Sequence, residues 1–434
     1  MLVVNSKDRG FSRLLASITG RGAEETSAVE AAVRSILDGV RKGGDRAVIE
    51  YTKRFDGVEL ERAGLRVTDK EIDAALRRVP KKDISLIELA ASRIEAFHER
   101  QKQNSWFTTE ATGTTLGSRV TPLERAGIYV PGGKAAYPST VLMNAVPARV
   151  AGVDEVVMVT PPGTGGIDPY VLASAKVAGV DKVFRVGGAQ AIGALAFGTR
   201  SIPRVDKITG PGNIYVATAK RLVYGAVDID MVAGPSEILV INDGTGDPSW
   251  IALDLLSQAE HDELASSILV TTCAEMAEAV NVQVERLLKT LKRRAIARSS
   301  IERYGVIIVA GGLEEAARIS NRIAPEHLEL FVEEPFELLG LIRNAGAIFM
   351  GRNTPEAAGD YLAGPNHTLP TGGTARFSSP LGVEDFIKRS SVISFSASGI
   401  EKIGKEVVRF ATLEGLEAHA RSAGARLKKK KQKR

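Results

Sequence analysis

Cysteine is almost missing from this chain: Cys273 stands alone among 434 residues. A lone thiol excludes an intrachain disulfide and any cysteine-rich zinc site, and it suits a reducing compartment. Aromatic residues are few at 5%, whereas glycines number 43, a balance suited to an α/β protein with many tight turns between strands and helices. No apolar run reaches the roughly 18 residues of a membrane helix. The opening stretch, Met1 to Arg9, has no apolar signal core, so the expectation is a soluble cytoplasmic protein with no membrane partner. With 25% charged and 44% hydrophobic residues the composition is globular, and the length exceeds one ordinary core, which predicts two or three domains.

Basic residues crowd one end of the chain. Residues 426–434 carry Arg426, Lys428, Lys429, Lys430, Lys431, Lys433 and Arg434 with no acid. Without these seven the formal charge of +5 becomes −2, so the body is slightly acidic and the basicity is a tail. The tail is read as a solvated, disordered tip. No zinc-finger spacing or aromatic strand pattern for RNA accompanies it, and no nucleic-acid partner is expected.

Apolar periodicity divides the rest. Val29, Val33, Ile36, Leu37 and Val40 predict a helix over 27–42, ended by Gly43-Gly44, with Asp45 able to cap the next. Thr68 and Glu71 form a capping-box pattern. From about 120, short apolar strands alternate with helices: strands at 128–130, 153–159 and 183–186, then 237–241, 267–271, 306–309, 328–332 and 347–350. This alternation predicts two parallel-sheet, Rossmann-like α/β domains in series. The expected boundaries are a helical segment 1–118, α/β domains 119–235 and 236–380, a helical dimerisation segment 381–425 and the basic tail 426–434. Residues 353–380, rich in Gly, Pro, Thr and Ser, read as a long loop of the functional kind.

There are five histidines. His98, in a charged helix, reads as a surface residue. Gln258 and His261 lie three apart near a helix end and share a face, the pattern of an ordinary solvated helix end that would also allow a two-ligand metal shelf. Glu326-His327 follows Pro325 where a helix meets a strand; such a pair suits acid/base work or an ordinary surface turn. Asp360 lies in the long loop, seven residues before His367. No GxGxxG or GxxxxGK[ST] phosphate loop is present. Gly187-Gly188-Ala189-Gln190 and Gly210-Pro211-Gly212-Asn213 are instead glycine turns, suited to packing or to a pyrophosphate at a helix start. Residues alone thus describe an α/β enzyme, with nucleotide binding left open.

Taken in order, several strings resemble the histidinol dehydrogenase family. They are Glu124 to Gly133 (ERAGIYVPGG), Gly210 to Asn213 (GPGN), Ala233 to Glu237 (AGPSE), Gln258 to Asp262 (QAEHD) and Ala324 to Leu328 (APEHL). Gly359-Asp360-Tyr361, Gly364 to His367 (GPNH) and Glu414 to His419 (EGLEAH) complete the set, which spans nearly the whole chain. The resemblance implies a four-electron, NAD-dependent oxidation of L-histidinol through the aldehyde to L-histidine, the last step of histidine biosynthesis. It implies one zinc per subunit on Gln258, His261, Asp360 and His419, and an acid/base pair of Glu326 and His327. NAD contacts fall on Tyr129, Gln190 and Asn213. Substrate contacts fall on Ser236, Glu414, His327 and the metal ligands, with His367 in the same region. The family's homodimer shares its active sites, the segment with Glu414 and His419 reaching the partner. Cys273 has no matched motif around it and reads as structural. A dehydrogenase of another small polar alcohol, such as a sulfonated diol, and a non-catalytic metal-binding protein are the competing readings.

Overall fold

The computed structural model describes residues 1–20, 27–132 and 137–427. Gly133 of the first glycine turn and residues 428–434 of the basic tail lie outside them. The chain divides into two units, one of Met1–Gln101 with Leu123–Phe386, the other of Lys102–Pro122 with the chain from Ile387 on.

The first unit holds two parallel sheets. The first runs, edge to edge, Lys182–Arg185, Glu155–Thr160, Arg125–Tyr129, Lys207–Thr209 and Asp228–Ile229. Counted along the chain the order is 3-2-1-4-5. Connections leave the first and fourth strands toward opposite faces, so a crevice opens beyond their carboxyl ends. Val156, Val157, Met158 and Val159 are all fully buried, the unalternating pattern of a strand covered on both faces. The second sheet repeats that order with Glu237–Asn242, Ser266–Thr271, Gly305–Val309, His327–Phe331 and Ala347–Met350, and adds Leu2–Asn5 beside Gly305–Val309. That N-terminal strand departs from the helical segment expected over 1–118. Its four residues are too few to show a period, and its partner lies 300 residues away.

Helix starts follow the local chemistry. Asp168 and Asp247 cap helices Pro169–Val177 and Pro248–Ala259, each with proline at the first helical position, where no N–H is needed. The Thr68–Glu71 capping box is complete. Asp45 is different: Gly44 occupies the cap position, and the Asp45 carboxylate instead accepts from the Ser201 N–H and hydroxyl. His98 corrects its reading too. It is fully buried, with Nδ1 2.7 Å from the Ile94 carbonyl. The expected loop 353–380 contains a helix, Glu356–Tyr361.

The second unit is an antiparallel ribbon with two helices. Ile387–Ser394 pairs with Thr115–Pro122, and that strand with Trp106–Thr109. Helices Ala397–Leu413 and Glu417–Gly424 follow, separated at Gly415 with φ of 71°. The region expected to be helical over 381–425 therefore begins with a strand.

Among the described residues no helix is long and apolar enough to cross a membrane.

Candidate active site

At the amino ends of the second sheet's two switch strands, Ala324 closes helix Leu313–Ile323 in the left-handed region, with φ of 54°. It is the one non-glycine residue with positive φ among those described, a conformation costing about 1–2 kcal/mol. The reversal, with Pro325, sends the chain straight into the strand and sets Glu326 and His327 at its head.

Both side chains grip the backbone of one residue, Glu237. The Glu237 N–H donates to Glu326 Oε2 at 2.9 Å, and its carbonyl lies 3.0 Å from His327 Nδ1. A carbonyl only accepts, so Nδ1 carries the ring proton and Nε2 bears the lone pair. Nε2 is buried with no hydrogen-bond partner; the nearest carboxylate oxygen, Glu356 Oε1, is 3.8 Å away. Burial lowers the His327 pKa to about 4, so the ring is neutral near pH 7. Burial also pushes the Glu326 carboxyl well above its ordinary range, helped by neighbouring Glu237, Asp360 and Glu356. The pair is thus a neutral imidazole with an open lone pair beside a carboxyl able to hold a proton.

Gln258 closes the last turn of helix Pro248–Ala259, and its Nε2 lies 3.4 Å from His261 Nδ1, so the shared face is real. Gln258 is fully buried and its Oε1 has no partner. Asp360 arrives on helix Glu356–Tyr361. There Glu356, one turn earlier on the same face, brings a carboxylate the sequence reading missed. Donor atoms of His327, Glu356 and Asp360 all lie within 4.8 Å of one another. The Ser257 hydroxyl holds Glu356 Oε2 at 2.9 Å, and the Glu356 N–H donates to Glu329 Oε1 at 2.8 Å. The segment's glycine and proline content hid the helix and with it the i, i+4 pair. His367 Nδ1 lies 3.1 Å from the Asp360 carbonyl. Burial is the first cause that lowers its pKa to about 4 and raises that of Asp360 to about 8.

This donor set fits a divalent cation. An amide oxygen, imidazoles and carboxylates are the ligands zinc takes. The orphaned Gln258 Oε1 and Glu356 Oε1 are buried polar atoms that a bound cation would satisfy. Positive charge would also relieve carboxylates whose ionisation burial opposes.

Ser236 precedes the gripped residue at the head of strand Glu237–Asn242, half-buried. Glu414 and His419 belong to the second unit, at the end of helix Ala397–Leu413 and in helix Glu417–Gly424, and both are exposed.

In the first sheet, Tyr129 closes one of the two strands at which the order reverses, Asn213 follows the other, and Gln190 lies on helix Gly188–Phe197. Tyr129 ends the first strand, and its hydroxyl oxygen accepts the Gly188 N–H at 3.1 Å. Burial raises its pKa to about 12, so it stays a phenol. Gln190 is 1% exposed, yet neither side-chain polar atom has a partner. Leaving such an amide unsatisfied costs about 1–3 kcal/mol per group, so its place is opposite a ligand's polar atoms. Asn213 caps helix Ile214–Val223 through Oδ1, accepting from Tyr215 and Val216 N–H, which leaves its amide N–H groups for a ligand. Gly210 is required: its φ is 109°, and a Cβ would sit 2.1 Å from the Tyr129 carbonyl oxygen. A backbone this close to a helix start fits a dinucleotide pyrophosphate.

Cys273 lies elsewhere. It caps helix Ala274–Leu288 beyond the carboxyl end of strand Ser266–Thr271, with Sγ 3.1 Å from Glu275 Oε2. Glu326 and His327 sit at the amino end of strand His327–Phe331, at the opposite end of the sheet, a strand length of roughly 20 Å away.

Comparison with known proteins identifies the family. A family model described as histidinol dehydrogenase matches residues 19–427. The chain is similar to the histidinol dehydrogenase of Syntrophotalea carbinolica, with 62% identity over 99% of both chains. It is similar to that of Geobacter sulfurreducens, with 60% identity over 99% of this chain and all of the other. The crystal structure of histidinol dehydrogenase from Elizabethkingia anophelis superposes with a TM-score of 0.92 at 38% identity, covering 98% of each chain. A match that runs through both sheets and the ribbon unit, at this identity, leaves no segment of the site outside it: the chain belongs to the histidinol dehydrogenase family.

Proposed function

We propose that this protein oxidises L-histidinol to L-histidine in two NAD-linked steps, the last reaction of histidine biosynthesis. The observation that carries the reading is the buried, neutral His327 with its Nε2 lone pair unengaged, beside the Glu326 carboxyl, whose basicity burial raises.

Gln258, His261 and Asp360 would hold zinc together with His419, and Tyr129, Gln190 and Asn213 would hold NAD. When bound, zinc supplies a Lewis acid that anchors the substrate's amine and imidazole, and NAD supplies the hydride acceptor. In the first oxidation His327 Nε2 takes the alcohol proton as hydride leaves the carbon. The Glu237 carbonyl stabilises the imidazolium through Nδ1–H. The aldehyde then needs water. With the only thiol at the far edge of the sheet, Glu326 is the group able to take a proton from attacking water. His327 releases its first proton before the second oxidation, and the hydrate then loses a hydroxyl proton to its Nε2 as the second hydride leaves. Burial of both groups excludes bulk water and keeps the aldehyde from escaping. Ser236 and His367 flank the substrate.

Glu414 and His419 are proposed to serve a partner subunit's site in a homodimer. Supporting this, helix Ala397–Leu413 exposes Ile403, Val407 and Phe410 along one stripe, with Leu413 76% exposed beyond it. Stripes of this kind mark protein interfaces.

The test is spectrophotometric. Purified protein with zinc and NAD should form two NADH per histidinol, and other amino alcohols and diols should give little. Equal rates with a sulfonated diol, or none with histidinol, would replace this reading.

A further inference from the structure

Helix Pro138–Ala151 packs in the first α/β layer and carries a proline at its third turn, Pro147. Proline has no N–H, so the Met143 carbonyl four residues back loses its helical donor. That carbonyl is buried, and a buried carbonyl without a donor is costly. The missing donor comes from far along the chain: Asn366 Nδ2 donates to Met143 O at 2.6 Å. Asn366 is 4% exposed, and its Oδ1 accepts the Thr368 N–H at 2.8 Å, so both ends of the amide are engaged. Asn144, one residue past Met143, reaches Thr368 Oγ1 at 3.5 Å, which doubles the seam.

The loop riveted in this way is the one that carries the site's chemistry. Asp360 lies six residues before Asn366 and His367 directly after it. His367 is tied back to Asp360, Nδ1 to carbonyl at 3.1 Å. The helix that receives the rivet follows strand Arg125–Tyr129, at whose end the nucleotide crevice begins. One amide therefore joins a helix of the cofactor layer to the loop holding a metal ligand.

We propose that Asn366 is a positioning residue: by occupying the carbonyl that Pro147 leaves free, it seats Asp360 and His367 for metal and substrate. The proposal rests on the assignment of those two residues to the site.

Pro147 supplies its own control. Pro147→Ala gives Met143 O a helical donor, so the orphan carbonyl is satisfied even without Asn366. Asn366→Ala should raise KM for histidinol about tenfold or more, with a smaller change in kcat and KM for NAD within about twofold. It should also lose zinc faster on dialysis against a chelator, read as metal per subunit, and melt at a lower temperature. In Pro147→Ala/Asn366→Ala the melting temperature should recover, while KM and zinc retention should not. Recovery of all three together would make Asn366 a merely structural residue and overturn the proposal. An unchanged KM and zinc content in Asn366→Ala would overturn it as well, provided Asp360→Asn still raises KM and releases zinc. If Asp360→Asn and His367→Ala are silent too, the site assignment itself fails. Should Asn366→Ala not fold, the double variant carries the same kinetic and metal readouts alone.

Discussion

At the residue scale, one hydrogen bond decides what His327 can do. Nδ1 is committed to the Glu237 carbonyl at 3.0 Å, so proton traffic passes through Nε2 alone. His327→Ala should lower turnover by about 10²- to 10⁴-fold, the usual span for general-base catalysis, and should retain zinc. Steady-state kinetics with metal analysis checks this; near-normal turnover removes His327 from the role. His98 shows the same physics without chemistry. Burial holds its pKa below the ordinary value, so the folded protein keeps it neutral. Below about pH 6.5 the unfolded chain binds a proton that the folded chain refuses. The stability it permits is present above that pH and is lost as pH falls. Urea midpoints at pH 7.5 and 5.5 should therefore differ more in the parent than in His98→Gln; equal differences would show that His98 carries no linkage.

At the scale of elements, the same strand order occurs twice and is used at opposite ends. In the first sheet the reversal point opens beyond the carboxyl ends, at Tyr129 and Gly210. In the second, the corresponding place is filled. Asn242 donates to the Thr245 and Phe331 carbonyls and accepts from Gly244 N–H and the Thr271 hydroxyl, leaving no crevice. The proposed function puts the chemistry at the amino ends, where Glu326 and His327 sit. The open crevice has a buried clamp: Lys220 pairs with Asp230 and donates to the Gly210 carbonyl at 2.9 Å, while Asp230 accepts the Gly210 N–H at 2.8 Å. Lys220→Met leaves a buried charge unpaired and should cost roughly 3–5 kcal/mol in urea unfolding, with a raised KM for NAD. Adding Asp230→Asn should recover part of the stability, and a strictly additive pair would deny the clamp. The sheet also separates Cys273 from the catalytic pair, so Cys273→Ser should still yield two NADH per histidinol. A variant stopping at one NADH with free aldehyde would restore a thiol mechanism.

For the whole molecule, the outcome turns on where His419 acts. The second unit leaves Phe410 and Ile393 each 65% exposed, an apolar cost that a second copy would remove. His261→Ala and His419→Ala, each inactive alone, should be unfolded and refolded together. Mixed dimers would then carry one site with both lesions and one with neither. Half the dimers being mixed, about a quarter of wild-type activity should return. No return, with one variant carrying a tag so that mixed dimers can be confirmed by mass, would show that His419 serves its own chain and leave the zinc assignment standing.

What the sequence determined by itself were the features set by near neighbours. Alternating apolar strands and helices announced the parallel sheets, because strands covered on both faces must be apolar throughout. Local side-chain chemistry announced the capping box at Thr68 and the Gln258–His261 face. The family resemblance named Glu326, His327, Tyr129, Gln190 and Asn213 without placing them. Only the tertiary structure decided the rest, wherever the deciding partner is distant in sequence. Leu2–Asn5 becomes a strand because Gly305–Val309 offers an open edge. His98 is buried because its helix packs inward, although its flanking residues are charged. Glu356 faces Asp360 because a glycine-rich stretch coils for one turn above the sheet. The tautomer of His327 is set by the carbonyl of Glu237, 90 residues earlier. Long-range hydrogen bonds and burial assign protonation, and no local pattern encodes them.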